Sequence, residues 1–184
     1  MAVTLEEPAL YDRFPCHHST TVVHMVETDY VVYKTERGDY LSLLPFDHVS
    51  QYGLPPEAII GEVLDGAEPG GTLTPETFVA NRAFHEFMHG VVERHAPEMA
   101  EFADEARQRQ DGWIYVVDRR TPTPAGRVLP EDVIGGFEVR MGHLVAHSYQ
   151  PIPSHRLMTE RGFFQLGDEL QQHLVFELAQ LRSV

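Results

Sequence analysis

Along residues 20–44 apolar positions gather in short β-branched and aromatic runs, TTVVHMV, DYVVYKT and YLSLL, interrupted at Thr28-Asp29 and Glu36-Arg37-Gly38-Asp39. Such residues favour strands, and the acidic and glycine residues at the breaks supply turn chemistry, so the stretch predicts a β-meander of about three strands. Pro45, Gly53, Pro55 and Pro56 close it, and Pro56 suits the first turn of a short helix over residues 56–65. A second helix is predicted over 74–95, capped by Thr74, with Ala80, Phe84, Phe87, Met88 and Val91 recurring at helical spacing as its core-facing stripe. Ala96-Pro97 ends it and opens a third, acidic helix. Strands are then predicted over 113–118, 133–140 and 143–149, the last two joined by a Met141-Gly142 turn, and Gly135-Gly136 marks a bulge or a close backbone approach. A closing helix starts with Asp168 as its cap and carries Leu170, Leu174, Phe176, Leu178 and Leu181. This order predicts an α+β fold: a largely antiparallel sheet of about five to six strands with helices packed mainly on one face. Residues 1–184 read as a single domain, with 1–18 as an irregular N-terminal arm.

Composition narrows the classes of partner. Forty-two per cent apolar residues supply enough surface for a real core. No apolar run reaches the length of a membrane span, and the acidic N-terminus is unlike an export signal, so neither membrane nor export is expected and a cytoplasmic location is. A single cysteine, Cys16, fits a reducing compartment. The net charge of -14 repels phosphate backbones and anionic lipid, which excludes nucleic acid as an expected partner and favours a basic protein or a cation.

The sharpest local motif is His85-Glu86-Phe87-Met88-His89, an H-E-x-x-H on a predicted helix. Side chains four apart share a face, so both imidazoles can reach one zinc ion, and Glu86 between them can take a proton from a water on that ion. Catalytic zinc needs a third protein ligand. His95 stands six residues after His89, and the stretch is similar to the metzincin pattern H-E-x-x-H-x-x-G-x-x-H, with Val92 where that family has glycine. A β-branched residue resists the turn that glycine permits, and on a continuous helix His95 lies about 9 Å beyond His89. Glu98, Glu101 or Glu105 of the next helix are the alternatives. The rest of the chain offers less: Cys16-His17-His18 with His24 is a weak soft-metal grouping, and there is no G-x-G-x-x-G, G-x-x-x-x-G-K-[ST] or G-x-S-x-G.

Residues 112–156 have a texture of their own: GWIYVVD, a loop with VLPEDVIGGFEV, a glycine turn and SYQPIPSHR. Through Trp113, Gly135, Phe137, Tyr149, Pro151, Pro153, His155 and Arg156 this segment resembles the C-terminal part of actinobacterial proteins associated with type VII secretion. The resemblance covers about a quarter of the chain and implies a cytosolic accessory protein without catalysis. Pro151-Ile152-Pro153 stiffens an extended backbone, and Arg156 with Arg119, Arg120 and Arg161 is expected to form a basic island on an acidic surface. With His155 these residues make a candidate docking surface for an acidic protein partner. The first reading is therefore a non-catalytic cytosolic accessory or binding protein without a cofactor, linked to secretion or toxin immunity and able to self-associate. The alternative is a zinc-dependent hydrolase built on His85, Glu86 and His89.

Overall fold

The computed structural model describes residues 21–24, 30–64, 73–120 and 128–182. The N-terminal arm, the Cys16-His17-His18 grouping, the EPGGT loop and most of the proline-rich loop before Val128 lie outside the described residues. The fold is α+β. Its strands divide between two larger antiparallel sheets and a small hairpin instead of sharing one sheet of five to six strands.

The first sheet begins with the expected meander of β1 (Thr21–His24), β2 (Val31–Thr35) and β3 (Gly38–Ser42). After a short helix α1 (Phe46–Tyr52) the chain departs from the sequence-based expectation. The helix predicted over 56–65 is a single 3-10 turn, Pro56–Ala58, followed by strand β4 (Ile59–Val63). Ile59 and Ile60 are buried, and β4 is bonded on both sides, to β3 and to β5 (Phe78–Ala80), so tertiary pairing overrides the local helix signal. Gly61 permits this: a Cβ there would lie 2.4 Å from the Phe78 ring and from the Val79 carbonyl oxygen.

The helix predicted over 74–95 is likewise shorter. Pro75–Thr77 is a 3-10 turn, Phe78–Ala80 is edge strand β5, and helix α2 spans Arg82–His95. The true N-cap is Asn81, whose Oδ1 accepts from the Ala83 N–H at 3.0 Å. Its Nδ2 donates to the Pro56 and Ile59 carbonyls, both at 2.7 Å. One side chain thus ties the start of α2 to the start of β4 and sets where the helix leaves the sheet.

Helix α3 (Ala100–Arg109) leads into the second sheet, β6 (Gly112–Val117), β7 (Val133–Arg140), β8 (His143–Leu144) and β9 (Gln150–Pro151). The Met141-Gly142 turn is as expected, with both residues at positive φ. The strand predicted over 143–149 stops after two residues. Ser148 bends the chain back, its Oγ accepting from the Glu138 N–H at 3.0 Å and donating to the Val145 carbonyl at 2.7 Å. The chain then returns to β7 as β9, opposite Gly135 and Gly136. A hairpin, β10 (Met158–Thr159) and β11 (Gly162–Phe163), precedes helix α4 (Asp168–Gln180). The residue at the α4 N-cap is Gly167 and not Asp168, which sits in the first turn with Glu169, where carboxylates suit the helix dipole. Phe176 is exposed, so Leu170, Leu174 and Leu178 carry the packing.

A continuous cluster of buried side chains links the two sheets, including Leu41 and Ile60 from the first, Ile114, Ile134 and Phe137 from the second, Phe84, Met88 and Val91 from α2, and Leu174 from α4. Tyr30 adds a long-range tie by donating to the Phe164 carbonyl at 2.9 Å. No helix among the described residues is long and apolar enough to cross a membrane.

Because Asn81 is both cap and bracket, Asn81→Ala removes three hydrogen bonds and leaves two carbonyls to find water. We expect a loss of about 2 kcal/mol in folding stability, measured by urea denaturation, with an unchanged denaturant slope.

Candidate metal centre

Phe84, Met88, Val91 and Val92 point α2 into the core, which leaves His85 and His89 together on the border of that stripe, with ring centroids 4.5 Å apart. His155, buried in the segment between β9 and β10, approaches them from the other half of the fold. Its Nδ1 lies 3.1 Å from His85 Nε2. One candidate ligand atom from each of His85, His89 and His155 can be chosen so that all lie within 4.8 Å of one another. Nitrogens bound to one tetrahedral zinc at ordinary bond lengths stand about 3.3 Å apart, so the donor set fits such an ion after small side-chain adjustments.

The two outer histidines have orienting partners. Asp118 Oδ2 stands 3.2 Å from His155 Nε2, which turns Nδ1 toward His85. Asp118 is itself fully buried and fully engaged: Oδ1 accepts from the backbone N–H groups of Arg120 at 3.0 Å and Gln165 at 2.9 Å, and Oδ2 accepts from Arg120 Nη2 at 2.6 Å. Arg120 has no exposed side-chain surface and also meets Asp132, 3.3 Å from its Nε, and the carbonyls of Gly162 and Arg156. Tyr149 serves His89, its hydroxyl 2.7 Å from Nδ1, which leaves Nε2 as the ring nitrogen available to a metal. Tyr149 reaches that position because the hydroxyl end of its ring passes close over Gly135, where a Cβ would stand 2.4 Å from it. The expected close backbone approach at Gly135 is thus an approach by this side chain.

Burial depresses the His85 pKa to about 4 and that of His89 to about 3, with neighbouring histidines adding to the effect in both. The Tyr149 phenol is pushed well up by burial, helped by Glu93, so it keeps its proton. A pair of neutral imidazoles is the state in which a metal binds without displacing a proton from the ring.

Other candidate residues lie elsewhere. Glu86 faces away from the group, mostly exposed and bonded to Arg82 Nε at 2.7 Å. His95 does not converge, because α2 runs on unbroken through Val92; it bonds Glu177 at 2.6 Å and stacks on His173 at 3.9 Å. Glu98, Glu101 and Glu105 are exposed, Glu101 bonding Arg119 at 3.0 Å. The third member is instead His155, 70 residues from His85, so no sequence spacing points to it. Asp118 and Tyr149 were missed as site residues for the same reason.

The four arginines expected to form a basic island differ in placement: only Arg120 is withdrawn into the interior. Arg120 is buried, Arg119 is paired with Glu101, and Arg161 is paired with Glu131 and Asp132. His155 is buried like Arg120, whereas Arg119, Arg156, Arg161, Pro151 and Pro153 are the exposed members of the supposed docking surface. Desolvating a guanidinium demands carboxylates beside it, and Arg120 alone among these arginines meets that demand in the interior. Arg156 instead lines a cleft of about 750 Å³ together with Phe78, Val79, Ala80, His85 and His155.

Unfolded, His85 and His89 take protons near pH 6.5; folded, they resist protonation down to about 4 and about 3. The unfolded chain therefore binds more protons across that window, so their contribution is complete above about pH 6.5 and falls away as the pH drops through it. His155, Asp118, Tyr149 and Glu86 surround the pair and are kept in the comparison. Metal-free protein should lose stability more steeply between pH 6.5 and 4 than a His85→Gln/His89→Gln double variant, read as urea midpoints; parallel curves would refute this.

Set against known proteins, the chain matches no protein family, no curated protein and no solved structure.

Proposed function

We propose that the chain is a metal-dependent hydrolase that holds zinc through His85, His89 and His155. What supports this is the convergence of three imidazoles, from a helix and a distant segment, at spacings one ion can span, beside a cleft that two of them line. Three protein ligands, as opposed to four, leave a coordination position for water or substrate, which is the pattern of catalytic and not structural zinc. A zinc ion so held would supply Lewis acidity and a water activated at neutral pH.

The chain's own residues do the positioning. Asp118 holds the His155 ring with Nδ1 presented, and Tyr149 holds His89 with Nε2 presented. Glu86, the carboxylate of the motif, is held by Arg82 on the exposed face of α2 and takes no part in positioning the group. The accessory reading, by contrast, loses Arg120 and His155 to the interior, although Arg119, Arg156, Arg161, Pro151 and Pro153 stay exposed.

Protein purified without a histidine tag should carry about one zinc per chain by elemental analysis. His85→Ala, His89→Ala and His155→Ala should each abolish binding while the far-UV spectrum is retained. Asp118→Asn should weaken zinc 10- to 100-fold, the range seen when an outer-sphere partner is lost. Folded protein that takes up no zinc, or a His155→Ala variant that binds it as tightly as wild type, would overturn the assignment.

A further inference from the structure

Resting on that reading, we propose that the substrate is an extended peptide, taken into the cleft as an added strand on the open edge of β5. The sheet order ends at β5, and among the described residues no other strand pairs with it there. The phase of its pairing with β4 is set by the Asn81 N–H to Ile60 carbonyl and Leu64 N–H to Thr77 carbonyl bonds, both 2.9 Å. Registers Gly61–Ala80 and Val63–Phe78 are then the non-bonded pairs, so the N–H and C=O groups of Phe78 and Ala80 point away from β4. Two donors and two acceptors at a two-residue spacing are what another extended backbone matches.

The edge and the histidines share one cleft. Phe78, Val79 and Ala80 form one wall, Arg156 and the residues up to Arg161 line it as well, and His85 and His155 open into it. Ala80 is joined through Asn81 directly to α2, and His85 sits one turn into that helix, so a strand lying on β5 runs past the metal ligands. The Val79 side chain is half exposed, available to a neighbouring residue on an added strand. In the reaction, water oxygen adds to the amide carbonyl carbon and the C–N bond breaks. The departing nitrogen gains a proton derived from the water, giving a carboxylic acid and an amine.

The test uses the zinc-loaded full chain, a pool of unstructured synthetic twelve-residue peptides read by mass spectrometry, and 4-nitrophenyl acetate as a small ester. Ala80→Pro removes one outward N–H without touching the β4 ladder, a position where an edge strand tolerates proline. The expected result is at least a tenfold fall in kcat/KM for peptides, carried by KM, with zinc content unchanged and ester turnover within twofold of wild type. If Ala80→Pro does not fold, wild type is assayed with peptides N-methylated at single amides, and loss of cleavage should recur at every second position. Ester hydrolysis without peptide cleavage, unimpaired Ala80→Pro, or equal tolerance of methylation everywhere would overturn the peptide inference. Failure to bind zinc would instead remove the metal reading beneath it.

Discussion

The Arg120 guanidinium has no contact with solvent, and a charge taken out of water is tolerable only if carboxylates and carbonyls replace the hydration it lost. That requirement draws Asp118 from the end of β6, Asp132 from the turn before β7, and the backbone around Arg156 and Gly162 onto one point. Asp118 then has lone pairs for Gln165 and for His155. His155 is thus oriented by a network whose first task is to satisfy a buried cation. Arg161 extends the network outward by bonding both oxygens of Asp132 at 2.9 Å, so the chain of contacts reaches from the cleft wall to the imidazole.

The other half of the site depends on a different bracket. Asn81 decides where α2 departs from the first sheet, and the core stripe decides its rotation, so the height and direction of His85 and His89 are set by that cap and by packing together. Tyr149 joins the halves: it lies on Gly135 of β7 and reaches His89 on α2. A site divided in this way is pre-organised only when the interior between the sheets is complete. Depressed basicity at His85 and His89 follows from the same burial that fixes their positions.

Where local and global signals agreed, the sequence was readable. The strands around Val31 and Tyr40, the Met141-Gly142 turn and the leucine stripe of α4 carry periods or turn residues that need no distant partner. Where they disagreed, the tertiary pairing won. Pro56 and the polar residues after it suggest a helix, yet Ile59 and Ile60 are worth more inside a sheet that offers bonds on both edges. Thr74-Pro75 opens a helix plausibly, yet only one turn forms there because the next three residues are claimed by β4 and Asn81 caps the helix in its stead.

The sequence by itself determined the α+β class and the placement of two histidines on one helical face, because both follow from periodicities of a few residues. It also carried the reason His95 stands apart, since Val92 keeps α2 straight. Only the tertiary structure decided that His155 is the third member, that Asp118 and Tyr149 orient the group, and that Arg120 is drawn inside. Those pairings join residues up to 70 positions apart, and they arise from the demand that buried charges and polar atoms find partners. Such pairings leave no spacing in the chain from which to read them.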